Sequence, residues 1–205
     1  MSLISPRPRR AALRLMLLSV LISACVTVHA QVNLRVRGTI TAFDGSVLSV
    51  KTREGKDLQL KLGEKAVVVA AKAMKLEDLK PGDYVGTTTQ ARADGTLVAV
   101  EVHTLPPTAA QGHTPWDLQE GSMMTNGNVG TVVQSAGAHQ LALEYKGGSQ
   151  KIVVPPGIPI VTNTPADRSA LKPGEYVFTT AQVAADGTMT VQRVQVSRDG
   201  VKPPQ

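Results

Sequence analysis

Hydrophobic and polar residues alternate along most of the chain after residue 30, in short runs that are separated by turns. Residues 34–42 and 58–62 show the alternation most clearly, and a period of two is that of a half-buried β-strand. Only residues 72–79 have apolar side chains spaced for one or two helical turns. The pattern predicts an all-β fold, whose strands in the first half are 34–42, 47–51, 58–62 continuing to 67–70, 84–91 and 97–102.

The same pattern occurs twice. Leu79–Val85 reads Leu-Lys-Pro-Gly-Asp-Tyr-Val, and 92 residues later Leu171–Val177 reads Leu-Lys-Pro-Gly-Glu-Tyr-Val. In both segments Pro fixes φ and Gly supplies a positive φ, which is the chemistry of a tight turn. The same offset relates two further pairs: Ala93–Thr96 with Ala185–Thr188, and Val36–Ile40 with Asn128–Val132. A constant offset between three anchors indicates a tandem duplication.

The first repeat has five predicted strands with a helical interruption between the third and the fourth, and the second repeat has the same order with Pro165–Ala170 in place of the helical turn. This is the element order of an OB-type barrel, so we expect two tandem five-stranded OB-like barrels joined by an ordered linker. Because its first hairpin is one residue longer, the second repeat matches the first at an offset of 93 in its second strand. The predicted segments are barrel 1 at 31–105, the linker at 106–127, barrel 2 at 128–198 and a tail at 199–205.

The Gly-Thr start, the Leu-Lys-Pro-Gly-acid-Tyr-Val turn and the Asp-Gly-Thr hairpin of each repeat resemble a family of exported bacterial OB-like domains of unknown function. The likeness covers nearly all of both repeats. Its motifs are made of turn residues, so the resemblance implies the fold and says little about activity.

The first 30 residues have the pattern of an export signal. Arg7-Pro8-Arg9-Arg10 precedes an apolar run from Leu15 to Ala24, and Val28-His29-Ala30 suits cleavage before Gln31. The alternative is a lipoprotein signal, since Ile22–Cys25 resembles a lipobox in which Cys25 is acylated. We therefore expect a periplasmic or secreted protein, or an outer-membrane lipoprotein that is membrane-bound only through Cys25. Cys25 is the one cysteine, so no internal disulfide is expected.

Charge and composition argue against nucleic acid as a partner. The net charge is +6, but four arginines and no acids lie in the first 30 residues, which leaves +2 for the rest. OB barrels that bind single strands stack bases on aromatic residues of the second and third strands, and here only Tyr145 is aromatic in those strands.

No catalytic motif is present. Six acids fall at predicted turns, where carboxylates are solvated: Asp44, Glu54, Asp83, Asp94, Glu175 and Asp186. No nucleophile-elbow serine and no matched histidine is found. The expectation is therefore a non-enzymatic module without a resident cofactor.

The linker holds the residues with the most chemistry. His113, Trp116, Met123 and Met124 lie close together in it, and Trp116 is the one tryptophan. Imidazole and thioether are soft ligands and an indole face can cover a cation, so these four residues form a candidate Cu(I) site. The set is similar to that of periplasmic copper chaperones built on a small OB barrel. The alternative is a hydrophobic plug in which Trp116 and the methionines fix one barrel against the other.

The sequence thus favours an exported binding or interaction module of the bacterial cell envelope, with an envelope protein or a small ligand as its partner. The alternative function is a periplasmic Cu(I)-binding protein that uses the interdomain linker.

Overall fold

A computed structural model describes residues 32–135 and 137–204. The chain is 62% strand and 4% helical, which confirms the all-β prediction. The described residues include two single turns of 3-10 helix: Leu76–Asp78 lies in the predicted helical segment, and Arg168–Ala170 lies in the segment expected to replace it. The strands are β1 (Val32–Phe43), β2 (Val47–Thr52), β3 (Asp57–Ala73), β4 (Tyr84–Ala91), β5 (Leu97–Thr104), β6 (Gly112–Pro115), β7 (Met123–Ser135), β8 (Ala138–Tyr145), β9 (Gly148–Val154), β10 (Ile160–Ala166), β11 (Tyr176–Val183) and β12 (Met189–Val196).

The predicted signal peptide at 1–30 and the candidate lipidation site Cys25 lie outside the described residues. Neither of the helical turns in the described part of the chain has the length or hydrophobicity to cross a membrane. The export and lipoprotein predictions therefore stay predictions.

The strands form one mixed sheet, in which the hydrogen-bonded pairs close two circuits of five strands. Ring 1 runs β1-β2-β3-β12-β11 and returns to β1, and ring 2 runs β7-β8-β9-β5-β4 and returns to β7. Within each ring all pairs are antiparallel except one, β3 with β12 in ring 1 and β9 with β5 in ring 2. Strand β10 joins the rings, because it pairs with β3 on one side and with β5 on the other.

Each ring encloses its own core of aliphatic side chains, as the strand alternation predicts. The core of ring 1 consists of Val36, Ile40, Leu48, Val50, Leu60, Leu62, Val68, Ala70, Leu171, Val177, Ala181, Val191, Val194 and Val196. The core of ring 2 consists of Leu76, Leu79, Val85, Ala99, Val102, Val129, Leu141, Leu143, Ile152 and Val154.

The prediction of one barrel per repeat, with barrel 1 ending at residue 105 and barrel 2 beginning at residue 128, is wrong. Each ring takes three strands from one repeat and two from the other, so the repeats exchange their last two strands. The length of β3 gives the physical reason. It runs unbroken for 17 residues, about 55 Å at a rise of about 3.3 Å per residue. This carries the chain out of ring 1, so that Leu76 and Leu79 enter the core of ring 2.

The exchange is symmetric about the centre of the β3–β10 pair. In that antiparallel pair Ala71 lies opposite Asn163, and these two residues occupy equivalent positions in the repeats. The flanking pairs, Val69 with Pro165 and Ala73 with Val161, are also each other's equivalents. A pseudo-two-fold axis therefore passes between Ala71 and Asn163.

One sequence anchor of the duplication is out of register. Gly38 pairs with Val177 and Gly127 pairs with Val85, so Gly38 corresponds to Gly127 and not to Gly130. The first strands match at an offset of 89, which makes the first hairpin of the second repeat four residues longer rather than one. Both glycines are needed because the opposite strand approaches closely. A Cβ would lie 2.3 Å from a carbonyl oxygen at residue 38 and 2.6 Å from one at residue 127.

The repeated turns have the predicted geometry. Gly82 and Gly174 have φ of 93° and 92°. Each turn binds the first strand of the other repeat, since Gly82 N–H donates to the Val129 carbonyl at 2.8 Å and Gly174 N–H to the Ile40 carbonyl at 2.9 Å. The turns therefore help to hold the exchanged strands in place.

Candidate functional site

The predicted linker is ordered and extends ring 2. Strand β6 pairs with the start of β7, which begins at Met123 rather than at the predicted residue 128. His113 lies opposite Thr125, and its Nδ1 is 2.8 Å from the threonine hydroxyl. Burial lowers the pKa of His113, so its neutral form is favoured.

A cluster of charged and aromatic side chains ties the linker to ring 1. The Asp117 carboxylate accepts a hydrogen bond from Arg37 at 2.8 Å and lies 3.5 Å from Arg35. The Arg35 guanidinium stacks over the Trp116 ring, 4.0 Å from its centroid, and Arg37 lies 4.9 Å from the Phe178 ring. Burial alone would raise the pKa of Asp117, but the Arg37 hydrogen bond and the arginine charges outweigh it and lower the pKa. The indole is thus held in place by cation–π contacts.

The four residues of the predicted Cu(I) site fall into two groups. Met123 and Met124 are neighbours in a regular part of β7, so their side chains point to opposite faces of the sheet. Met124 is buried and shares a cavity with Trp116. Met123 lies on the same face of β7 as Thr125, the partner of His113. The two thioethers therefore diverge from each other.

The cavity beside Trp116 and Met124 lies between the two rings, and we call it the inter-ring pocket. Its volume is about 130 Å³. Strands of both rings, the linker and the tail contribute to its wall. The lining side chains include His103, Met124 and Asn126 from ring 2, Asn163 from β10, Phe178, Arg193 and Gln195 from ring 1, Trp116 from the linker and Pro204 from the tail.

A buried carboxylate orients the histidine of this pocket. His103 Nδ1 lies 3.2 Å from the Glu101 carboxylate, whose other oxygen accepts a hydrogen bond from the Thr88 hydroxyl at 2.8 Å. Glu101, His103 and Thr88 are all buried. Because the carboxylate can only accept, Nδ1 carries the proton in the neutral ring, and Nε2 then has a free lone pair.

Two amide oxygens at the pocket have no hydrogen-bond partner. Four buried side-chain polar atoms in the described part of the chain lack one, and two of them are Asn126 Oδ1 and Asn163 Oδ1. The Asn126 oxygen is close to the histidine. A Cβ built on Gly86 would lie 2.8 Å from it and 2.6 Å from His103 Nε2. Buried acceptors without donors are uncommon in folded proteins, and such atoms mark sites where a ligand or water completes the hydrogen bonding.

A β-bulge in β5 sets the face of the strand on which Glu101 and His103 lie. Thr88 pairs with Glu101 and Thr89 with Ala99, so Val100 is an extra residue that shifts the alternation of β5. Glu101 and His103 are not among the candidate residues predicted from the sequence. The signal it missed is the buried acid, since Glu101 stands among aliphatic residues in a strand.

The tail lies along the cleft and closes one side of the pocket. Pro203 and Pro204 are buried, and the Lys202 ammonium lies 5.0 Å from the centre of the Tyr176 ring. The same segment lines a second cavity of about 630 Å³ next to Glu101. The predicted tail at 199–205 is therefore packed against the rings up to residue 204.

No group of three or more His, Cys, Asp or Glu side chains within 32–135 and 137–204 is arranged to hold a metal ion. The chain matches no protein-family model, no curated protein and no solved structure at a significant level. Its function is therefore inferred from its own residues.

Proposed function

We propose that this chain is a non-enzymatic binding module of the bacterial cell envelope, and that a small ligand binds in the inter-ring pocket. The observation that carries the proposal is the pair of unpartnered amide oxygens of Asn126 and Asn163. Leaving a buried acceptor unsatisfied costs roughly 1–3 kcal/mol. A ligand with suitable donors would recover that energy, and the pocket is the place where it could do so.

The strand order supports an OB-like assignment for each ring. In both rings the first strand pairs with the second and the fourth, and the third pairs in parallel with the fifth. A short helical turn comes between the third and fourth strands of each repeat. We therefore propose two OB-like barrels with exchanged strands, of a kind that commonly serves as a binding scaffold. The envelope location rests on the leader sequence alone.

The local geometry favours binding over catalysis. Within the described residues no hydroxyl is hydrogen-bonded to His103, and the Thr88 hydroxyl donates to Glu101 instead. A histidine that activates a nucleophile would need that hydroxyl on its free nitrogen. The Glu101–His103 pair suits the orientation of a ligand.

Thermal unfolding in the presence of a small-molecule library tests the proposal. A ligand of the inter-ring pocket should raise the melting temperature of the wild type, and Asn163→Leu should remove that shift. Asn33→Leu is the matched control, because Asn33 is exposed on β1. If no compound shifts the melting temperature, or if Asn163→Leu responds as the wild type does, the pocket is not the binding site.

Cu(I) binding is the second candidate, and one observation favours the pocket over the linker for it. Trp116 and Met124 share the pocket with His103, whose Nδ1 is held by a carboxylate as in many metal-binding histidines. Cu(I) should then quench Trp116 fluorescence. Met124→Leu should abolish the quenching and Met123→Leu should leave it. The opposite result would return the site to the linker.

A further inference from the structure

Equivalent positions of the two rings carry side chains that differ in charge and hydrogen-bonding groups. Glu101 of ring 2 corresponds to Arg193 of ring 1, and His103 corresponds to Gln195, each pair at the 92-residue offset. Gly86 of ring 2 corresponds to Phe178, whose ring forms a wall of the pocket. The pocket lies beside the pseudo-two-fold axis, since Asn163 also lines it. Its two sides are thus built alike in backbone and differ in charge.

The ring 2 side of the pocket requires hydrogen-bond donors. Asn126 Nδ2 donates to the Ala110 carbonyl at 3.0 Å, and a carbonyl can only accept, so the orientation of this amide is fixed and Oδ1 is an acceptor. The lone pair of His103 Nε2 lies beside it. Asn163 adds a third acceptor, because its Nδ2 is used by Gln195 at 3.0 Å. Behind His103 stands the negative charge of Glu101.

The ring 1 side of the pocket presents a cation, Arg193, to a ligand. Arg193 lies at the rim and takes part in no ion pair within the described residues. Arg193 is exposed to solvent there, and partial burial of the guanidinium lowers its pKa. A carboxylate would supply a counter-ion and could accept two hydrogen bonds from the guanidinium.

The geometry points to a small zwitterion of the α-amino acid class as the ligand, with its ammonium toward Asn126 and His103 and its carboxylate toward Arg193. This inference rests on the proposed function, because it names the ligand of the same pocket. The size agrees, since a protein cavity of roughly 150 Å³ holds a ring of six carbon atoms and the inter-ring pocket has about 130 Å³. Glycine and alanine have five and six non-hydrogen atoms.

Calorimetric titration of the whole protein with glycine, L-alanine and glycine betaine tests the chemistry. Glycine betaine carries both charges but has no N–H, so it cannot satisfy Asn126. Glycine or alanine should bind, and betaine should bind at least tenfold more weakly. Equal binding of betaine would overturn the inference.

Two variants locate the two ends of the ligand. Arg193→Gln removes the charge that the carboxylate needs, and Asn126→Leu removes an acceptor for the ammonium. Each should weaken binding by about tenfold or more, which corresponds to the loss of one charged hydrogen bond. Arg92→Gln is the matched control, because Arg92 is exposed at a turn of ring 2. If Asn126→Leu fails to fold, Asn163→Leu replaces it.

The outcomes separate this inference from the proposed function. If no amino acid binds while a library compound or Cu(I) binds and Asn163→Leu abolishes that binding, the inference is wrong and the pocket is still the site. If nothing binds in the pocket, both are wrong. If alanine binds and Arg193→Gln binds it equally well, the ligand does not reach ring 1 and the inference is wrong.

Discussion

A cut in the linker should leave the protein in one folded piece, because the two halves of the chain interlock. The cut is best made with a protease site inserted among residues 106–108, which are exposed and belong to no strand. Two separate tandem barrels would come apart after such a cut. Exchanged strands would hold the halves together, since each ring needs strands from both.

The magnitude follows from the cores. The second half contributes six residues to the core of ring 1, each at most 3% exposed: Leu171, Val177, Ala181, Val191, Val194 and Val196. Burying a valine or leucine contributes about 1.5–3 kcal/mol, so the five larger side chains contribute about 8–15 kcal/mol. The first half contributes a comparable set to ring 2. Micromolar association needs about 8 kcal/mol, so the halves should stay associated at ordinary concentrations.

Size-exclusion chromatography with light scattering gives the assay. The cut protein should elute with the mass of the uncut chain and unfold in a single thermal transition. The uncut chain with the inserted site is the control. Separation into two folded fragments, each with its own melting transition, would refute the exchange of strands.

Three further predictions concern single residues. Gly174→Val should cost about 1–3 kcal/mol, because φ is 92° there; an unchanged midpoint in urea unfolding would contradict this. The Arg37 hydrogen bond keeps the pKa of Asp117 low despite burial. Ionised Asp117 therefore stabilises the fold above about pH 4, the pKa of an aspartate in the unfolded chain. That contribution is lost as the pH falls through the lower pKa of the folded state. The difference in urea midpoint between wild type and Asp117→Asn should therefore shrink below about pH 4, and a constant difference would count against the ion pair. Burial lowers the pKa of His113, so the free energy of unfolding should decrease as pH falls below about 6.5. His113→Gln should make that decrease smaller. An NMR titration midpoint of His113 above about 6.5 would show that the pKa shift has the opposite sign.

Local signals predicted the strands and turns well. The alternation along the third strand and the turn at Pro81-Gly82 depend only on nearby residues, and the structure has both where the pattern places them. The Ala93–Thr96 anchor and its equivalent Ala185–Thr188 also lie at turns. The Val36–Ile40 anchor failed because a glycine in a strand is required by its cross-strand neighbour, which the local sequence does not reveal.

The pairing of the strands could not be predicted from repeat similarity. When two repeats are alike, the fourth strand of one repeat can pair with the first strand of its own repeat or with that of the other. The choice depends on the path of the chain between the third and fourth strands. The unbroken course of β3 past Val67 decides it, whereas three prolines at 155, 156 and 159 interrupt the corresponding segment of the second repeat.

The candidate site was only partly visible in the sequence. Trp116 and Met124 were identified, and they line the inter-ring pocket. Closeness in sequence groups Met123 with Met124, but both lie in β7, where neighbouring side chains point apart. His103 and Glu101 were missed because the bulge at Val100 is not encoded by a glycine or another recognisable signal.

A pocket beside a pseudo-two-fold axis could distinguish the two ends of the proposed ligand only if the two repeats differ there. A perfect two-fold axis would place the same groups on both sides, two acids or two bases, and like charges would repel each other across the pocket. The two repeats have diverged at one equivalent pair, where ring 2 has Glu101 and ring 1 has Arg193, so these positions carry opposite charges instead of like ones. Because each ring contains strands of both repeats, unfolding of either half of the chain would disrupt both cores and the pocket between them. Ligand binding and folding should therefore be coupled in this chain, so that a pocket ligand stabilises both rings together.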